Sequence, residues 1–260
     1  MNGIFINIFL NIKNSVFRRI NKRNKSFSGK GKPEIKRFTD LDGWMASFPW
    51  GIYSEDERVK YQSEESLTLG CPMYMRTIRK HKVNHYNNVT MQWSIGCLMS
   101  KEPFRDYGTF EVIAKIHPAR GCWHAPLWFV AANPEGSKDP YAILPEPDVA
   151  EVYSKGNPSK FKAKSNLHYG TDYDYNAKSI GAKTHYIPNF NSRFVSYGMV
   201  WKEDRLEYYY DGHLCRVITN RKVLDRLRHG LYPIIGVGVL NGQPHDGSLM
   251  EVLKFSYWKD

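Results

Sequence analysis

RLEYYY, residues 205–210, runs directly into Asp211-Gly212 and then into HLCRVI, residues 213–218. A two-residue Asp-Gly step between two apolar-rich runs specifies a tight hairpin, because both turn positions need positive φ, which this pair adopts at little cost. Such a step commits its region to antiparallel sheet. The same pattern recurs along the chain. YGTFEVIAKI (107–116) alternates, with Phe110, Val112, Ala114 and Ile116 on one side, and FVSYGMVW (194–201) behaves likewise. IIGVGVL (234–240) and LMEVLKFSYW (249–258) complete the series, and only RKVLDRLRH (221–229) reads as a helix. Many short strands without alternating long helices predict an all-β sandwich. The aromatic residues, 17 Tyr, 13 Phe and 7 Trp, suit strands and flat stacking surfaces better than helices.

The formal charge of +11 is unevenly spread. Residues 1–37 hold ten Lys/Arg and one acid, 10 − 1 = +9, whereas the remaining residues hold 27 basic and 25 acidic side chains, 27 − 25 = +2. The main body is therefore nearly neutral, which argues against nucleic acid as its partner. The boundary expected from this shift is a basic N-terminal extension over 1–37, ending in the linker-like FSGKGKP (27–33), and a main domain over 38–260. The apolar run Ile4–Ile12 is too short to span a membrane, and it lacks the flanks of a signal peptide. As a helix it would align Ile4, Ile8, Ile12, Val16 and Ile20, followed by Arg18, Arg19, Lys22 and Arg23. That pattern suits weak association with an anionic membrane or surface; a leader or disordered extension fits as well.

Cys71, Cys97, Cys122 and Cys215 form no C-x-x-C pair, so zinc is not expected, and disulfide pairing stays open. Asn88-Val89-Thr90 is a glycosylation sequon of high chance frequency. Gly236, Gly238 and Gly242 do not open a helix after a strand, which excludes a dinucleotide fingerprint. Cys122 and His124 lie two apart, as a thiol nucleophile and its base would, but a buried Cys with a structural His is the commoner arrangement. His81 and His85 fall in IRKHKVNHYNN, which reads as a solvated loop.

ILPEPDVAEVY, residues 143–153, carries Glu146, Asp148 and Glu151 inside a run otherwise rich in Ile, Val and Tyr. On a strand Glu146 and Asp148 share a face, whereas Glu151, five positions on, faces away. One inserted residue, a β-bulge at Val149 or Ala150, restores its parity. Three carboxylates on one face repel and hold protons more tightly, which an ordinary structural strand has no use for. Glycoside hydrolysis does: one carboxylate attacks and one protonated carboxyl assists the leaving group. Asp148, between them, can hydrogen-bond the nucleophile and tune both. A solvent-facing acidic edge or a calcium site would use the same residues.

This segment resembles the E-x-D-x-x-E strand of glycoside hydrolase family 16, in its laminarinase-like and agarase-like branch. RDYGTFEVIAKIHPARGCWHAPLWFV (105–130), SNLHYG (165–170), FVSYGMVWKEDRLEYYYDGHLCR (194–216) and MEVLKFSYWKD (250–260) are similar to family segments in the same order, and SEESLTLGCPMYMRTIRK (63–80) is loosely so. The resemblance covers roughly residues 40–260. It implies a concanavalin A-like β-jelly-roll sandwich of two curved antiparallel sheets with a concave substrate groove. It implies a retaining endo-β-glycanase acting on a polysaccharide, β-1,3-glucan or a galactan, with a lectin-like module using the same groove as the alternative. By position Glu146 would be the nucleophile, Glu151 the acid/base and Asp148 the helper. Trp123, Trp128, His168 and Trp201 match family aromatic or imidazole positions and are the candidate groove residues, with Trp128 the one whose counterpart is often buried. Pro147 stands where Ile or Leu is usual, and His124-Ala125-Pro126 replaces the usual Trp-Pro-Ala order. The implied protein is monomeric, requires no cofactor, and works outside the cell or at its surface. Family-like folds often hold a structural calcium, and Asp172-Tyr173-Asp174-Tyr175-Asn176 has oxygen ligands at alternate positions, as many solvated turns do.

Overall fold

The computed structural model describes residues 31–48, 60–83, 90–154, 162–170, 178–240 and 248–260. Most of the basic tail, His85, the Asn88 sequon, Asp172–Asn176 and Gly242 lie outside these residues. Among the described residues the chain forms β1 (Glu34–Lys36), β2 (Trp44–Met45), β3 (Lys60–Gln62), β4 (Leu67–Thr68), β5 (Met73–Val83), β6 (Thr90–Ile95) and β7 (Cys97–Ser100). It continues through β8 (Gly108–His117), β9 (Cys122–Ala132), β10 (Tyr141–Ile143), β11 (Glu146–Ser154), β12 (Lys162–Tyr169), β13 (Lys178–Ser179) and β14 (Lys183–Tyr186). Next come β15 (Val195–Trp201), β16 (Leu206–Tyr210), β17 (His213–Ile218), the short helix α1 (Arg221–Leu227), β18 (Leu231–Val239) and β19 (Leu249–Lys259).

These strands make two sheets. The first runs β17-β16-β15-β8-β19-β5-β6-β3, with β1 on β19 and β4 on β5; the second runs β13-β12-β11-β9-β18-β7-β2, with β10 on β9 and β14 on β12. All pairings are antiparallel except β3 with β6. The Asp-Gly hairpin forms as its sequence dictates: Asp211 and Gly212 take φ of 49° and 73°, and Tyr210 pairs with His213. β8 buries the four residues its alternation assigned to one face. They meet Leu127 and Phe129 of β9, Val149 and Val152 of β11, and Tyr197 and Trp201 of β15 in the core between the sheets. Each such aliphatic or aromatic side chain contributes about 1.5–3 kcal/mol on burial.

A second apolar cluster covers part of the second sheet's outer, concave side. It joins Trp128, Val130 and Ala132 of β9, Tyr232 and Ile234 of β18, Cys97 and Met99 of β7, and Phe48. The central strand β18 is consequently buried at all nine positions, which is why its sequence does not alternate.

Two expectations need correction. Among the described residues the sheet begins at Glu34, where β1 pairs with β19, so sheet structure is present a few residues before position 38. Ile78 to Val83 is the exposed end of β5 rather than a loop; backbone pairing to β6, Arg79 to Trp93 and Lys82 to Met91, holds it extended despite its polarity. Among the described residues no helix is long and apolar enough to cross a membrane.

Candidate active site

β11 lies between β9 and β12 in the second sheet. Against β12, Glu146 stands opposite His168, Asp148 opposite Asn166, and Glu151 opposite Lys164. From Asp148 to Glu151 β11 advances three residues while β12 advances two, so one residue is inserted there. This is the bulge that the parity of the three acids demanded. Cross-strand partners share a face, so Glu146, Asp148 and Glu151 all point to the concave side with His168, Asn166 and Lys164. Val149, Ala150 and Val152 go into the core instead.

The bulge has support from the other sheet. Tyr210 of β16 crosses the core and donates its buried hydroxyl to the carbonyl of Val149 at 2.5 Å. Beside it Tyr208 donates to the carbonyl of Asn166 at 3.1 Å. β9 carries a matching irregularity. Ile234 to Gly236 of β18 spans two steps while Trp128 to Ala125 of β9 spans three. The extra residue falls beside Pro126, where a missing N–H is least costly. Pro147 is likewise accommodated, because β11 pairs with β9 only from Asp148 onward.

Crowding and burial raise the proton affinity of all three acids. Burial is the largest cause for Glu146, pushed up to about 8, with the charge of Glu151 adding to it and a hydrogen bond with Asp148 opposing. Asp148, almost fully buried, is raised well above the carboxylate range by burial, then by Glu151 and Glu146. Glu151 is raised by burial and held back by the Tyr153 hydroxyl and by Lys164. Tyr153, two residues along the same face, donates to Glu151 Oε1 at 2.5 Å. The site therefore retains protons to near-neutral pH, as acid catalysis by a carboxyl requires.

His168 Nε2 lies 3.5 Å from Asp148 Oδ2 and accepts from Asn166 Nδ2 at 2.9 Å. Asn166 Oδ1 in turn accepts from Ser179 Oγ at 2.6 Å, which fixes the amide and hence the imidazole. Glu146, Asp148 and His168 bring ligand atoms within 4.8 Å of one another, and in type and spacing this set fits a divalent cation.

Trp123 of β9 stands opposite Tyr153 of β11 and Gly238 of β18, on the acids' face. Its indole lies against Gly236 and Gly238: a Cβ on Gly238 would stand 2.5 Å from Cε2, and one on Gly236 3.4 Å from Cη2. Those two glycines, set aside as a nucleotide signal, let the ring lie down on the sheet as a flat platform. Trp128 shares the acids' face but is covered, with Phe48 edge-on at 5.7 Å. Trp201 does not reach the groove. It belongs to the first sheet, faces the core with 1% exposure, and packs edge-on to Tyr107 at 4.8 Å. Cys122 and His124 are both fully buried; His124 Nε2 bonds Ser248 Oγ at 2.8 Å, and burial pushes its pKa down to about 3. That removes them as nucleophile and base. The four cysteines are free thiols.

Tyr153, Lys164, Asn166 and Tyr210 escaped the sequence reading. Parity alone could have found Tyr153, two residues after Glu151; the others depend on strand pairing and cross-core contacts.

The family model "Glycosyl hydrolases family 16" matches residues 49–243. Among solved structures, the fold is similar to the catalytic domain of an endo-1,3-β-glucanase (laminarinase) from Thermotoga petrophila. That match has a TM-score of 0.71 at 18% identity and covers 90% of this chain and 98% of that one. LamAcat from Zobellia galactanivorans matches with a TM-score of 0.69 at 18% identity over 87% and 96%. A third structure, described with endo-acting O-glycanases that human gut bacteria express to initiate mucin breakdown, matches at 0.66 and 18% over 90% and 91%. No curated protein matches this chain significantly.

Proposed function

The chain belongs to glycosyl hydrolase family 16 and is a glycoside hydrolase, and on that premise we propose a retaining endo-β-glycanase that cleaves a polysaccharide by double displacement. The observation that carries this reading is the register shift between Asp148 and Glu151, which brings the third acid to the face of the first two. In the first step the Glu146 carboxylate attacks the anomeric carbon while Glu151 protonates the departing glycosidic oxygen. The product is a glycosyl ester on Glu146. In the second step Glu151, now ionised, takes a proton from water, which attacks the same carbon from the face the leaving group vacated. Two inversions give net retention.

Double displacement asks for carboxyls about 5–5.5 Å apart on one face. The charge of Glu151 raises the proton affinity of Glu146, which supports their acting on one bond. Burial raises the proton affinity of Asp148, and its hydrogen bond to Glu146 favours the ionised nucleophile. Trp123 offers a sugar ring a flat apolar surface beside Tyr153, and His168 sits over Asp148 at the same floor. The backbone cleaved is a β-1,3-glucan or a galactan. No cofactor takes part in these steps. Such a substrate puts the protein outside the cell or at its surface, as a monomer, with the basic tail as a weak anchor to anionic membranes. Removing residues 1–30, which leaves β1 intact, should abolish sedimentation with anionic vesicles; unchanged sedimentation excludes the anchor.

The test of the activity is reducing-sugar release from a panel of β-glucans and galactans by the wild type and by Glu146→Gln. Release by the wild type alone, with the anomer retained in the first product, is expected. Equal activity in both would remove Glu146 from the chemistry. Glycan affinity without turnover would assign the groove a lectin-like role instead.

A further inference from the structure

The strand that pairs with the catalytic strand carries an unusual strip. On β12 the concave-side residues alternate as Lys162, Lys164, Asn166 and His168, and the last two support the acids. Lys164 stands directly opposite Glu151, with Nζ 5.9 Å from the centre of the Tyr153 ring. Lys162 stands opposite Tyr186 of β14, with Nζ 5.7 Å from that ring. Both lysines are exposed, and Tyr153 and Tyr186 are 41% and 46% exposed. Two ammonium groups thus lie over two open aromatic faces, one strand away from the acid/base. In sequence the run from Val152 to Gly170 holds four lysines, Lys155, Lys160, Lys162 and Lys164, and no acid. The main body as a whole is nearly neutral, so this cationic stretch is a local feature next to the site.

A neutral glycan gains little from such an arrangement. Its hydroxyls are served by amides, carboxylates and flat rings, whereas lysines held over aromatic rings beside a cleavage site recognise negative charge. We propose that Lys162 and Lys164, with Tyr153 and Tyr186, form a subsite for an anionic substituent on the sugar at the Glu151 side of the scissile bond. The natural substrate is accordingly a β-linked polysaccharide bearing sulfate esters or carboxylates. The tyrosine rings hold the ammonium groups in place, and the anionic group of the sugar meets those ammonium groups. This assignment rests on the hydrolase reading for its orientation, and it adds the substrate's charge.

The experiment uses the full-length Glu146→Gln protein and calorimetric titration with short oligosaccharides of one β-1,3-glucan backbone: neutral, sulfated and carboxymethylated. The expected result is binding about tenfold tighter or more for an anionic member than for the neutral parent, weakening as salt is raised. In Lys162→Gln/Lys164→Gln the ratio of anionic to neutral affinity falls to near one. Whether the sulfated or the carboxymethylated arm carries the preference identifies the anion. A preference that survives intact in the double variant comes from the basic tail and overturns the subsite; so does equal affinity for neutral and anionic members. Turnover by the wild-type protein is measured on the same set. Turnover without charge preference ends the subsite and leaves the hydrolase, whereas Lys-dependent anionic binding without turnover excludes this backbone as the one cleaved and leaves the subsite.

Discussion

The hydroxyl of Tyr210 and the carbonyl of Val149 meet at 2.5 Å in the middle of the core, joining the first sheet to the bulge in the second. A bulge leaves a backbone group off its ladder, and a buried carbonyl without a donor costs about 1–3 kcal/mol. Tyr210 supplies that donor, and the bulge it stabilises is what turns Glu151 toward Glu146. Tyr210→Phe keeps the ring packing and removes only the hydroxyl. It should lower stability by about 1–2 kcal/mol and reduce kcat severalfold while KM changes little, because Tyr210 touches no substrate. A purely structural role would lower the melting temperature and leave kcat of the folded enzyme unchanged, so steady-state kinetics well below the melting point decide the matter.

Glu146 illustrates a cost that the site imposes on the fold. Its pKa is raised from the ordinary glutamate value to about 8, so the folded state holds a proton that the unfolded chain has released at neutral pH. A raised folded-state pKa contributes full stability below the unfolded value, near pH 4.5, and loses it as pH climbs toward 8. Glu146→Gln removes the ionisable group. The variant should therefore melt higher than the wild type at pH 8, by roughly 2–4 °C for each kcal/mol recovered, and the gap should close below pH 4.5. Thermal melts of both proteins across this range measure it. A gap that is constant with pH would mean that the carboxyl's charge is not what destabilises.

How much of this was legible in the sequence depended on the range of the interaction that decided it. The β8 alternation and the Asp211-Gly212 turn are local, and both read correctly. The bulge was legible because Glu151 sits on the wrong parity for its company, a conflict only an inserted residue resolves. Trp201 misled because its segment matches a family run while its sheet was unknown; an alternating strand tells which residues face inward but not which sheet it joins. Gly236 and Gly238 form no nucleotide motif, and nothing near them in sequence announces the indole of Trp123. The exposed end of β5 read as a loop because backbone pairing, not apolar patterning, keeps it extended.

Gly238 makes room for the platform. Alanine there would bring a methyl group 2.5 Å from Cε2 of Trp123, so the ring must lift from the sheet. Gly238→Ala should leave the fold intact, since Trp123 sits at the surface edge of its cluster, and should raise KM roughly 2- to 10-fold by spoiling the stacking face. Kinetics on the preferred glycan, with intrinsic tryptophan fluorescence to report the displaced indole, give the answer. An unchanged KM with a shifted emission would show that Trp123 carries no sugar.

The last prediction concerns the proton that Glu151 must deliver. Glycosylation requires one ionised and one protonated glutamate, so kcat/KM should trace a bell in pH whose alkaline limb is the loss of the site's last shared proton. Burial raises the proton affinity of Glu151, so that limb should lie above the pH at which an ordinary glutamate ionises. Tyr153 donates to Glu151 and so favours its ionised form. Tyr153→Phe withdraws the donor, disfavours ionisation and raises the proton affinity of Glu151. The sign follows directly: the alkaline limb moves to higher pH, by about one unit for a hydrogen bond to a charged group. Glu151→Gln removes the charge that raises Glu146, so Glu146 should ionise at lower pH. With an activated aryl glycoside that needs no acid to depart, this variant should recover turnover and show its ionisation limb below 8. A limb that stays fixed in Tyr153→Phe, or shifts downward, would mean that the group titrating there is not Glu151, and the acid would have to be sought elsewhere on the concave face.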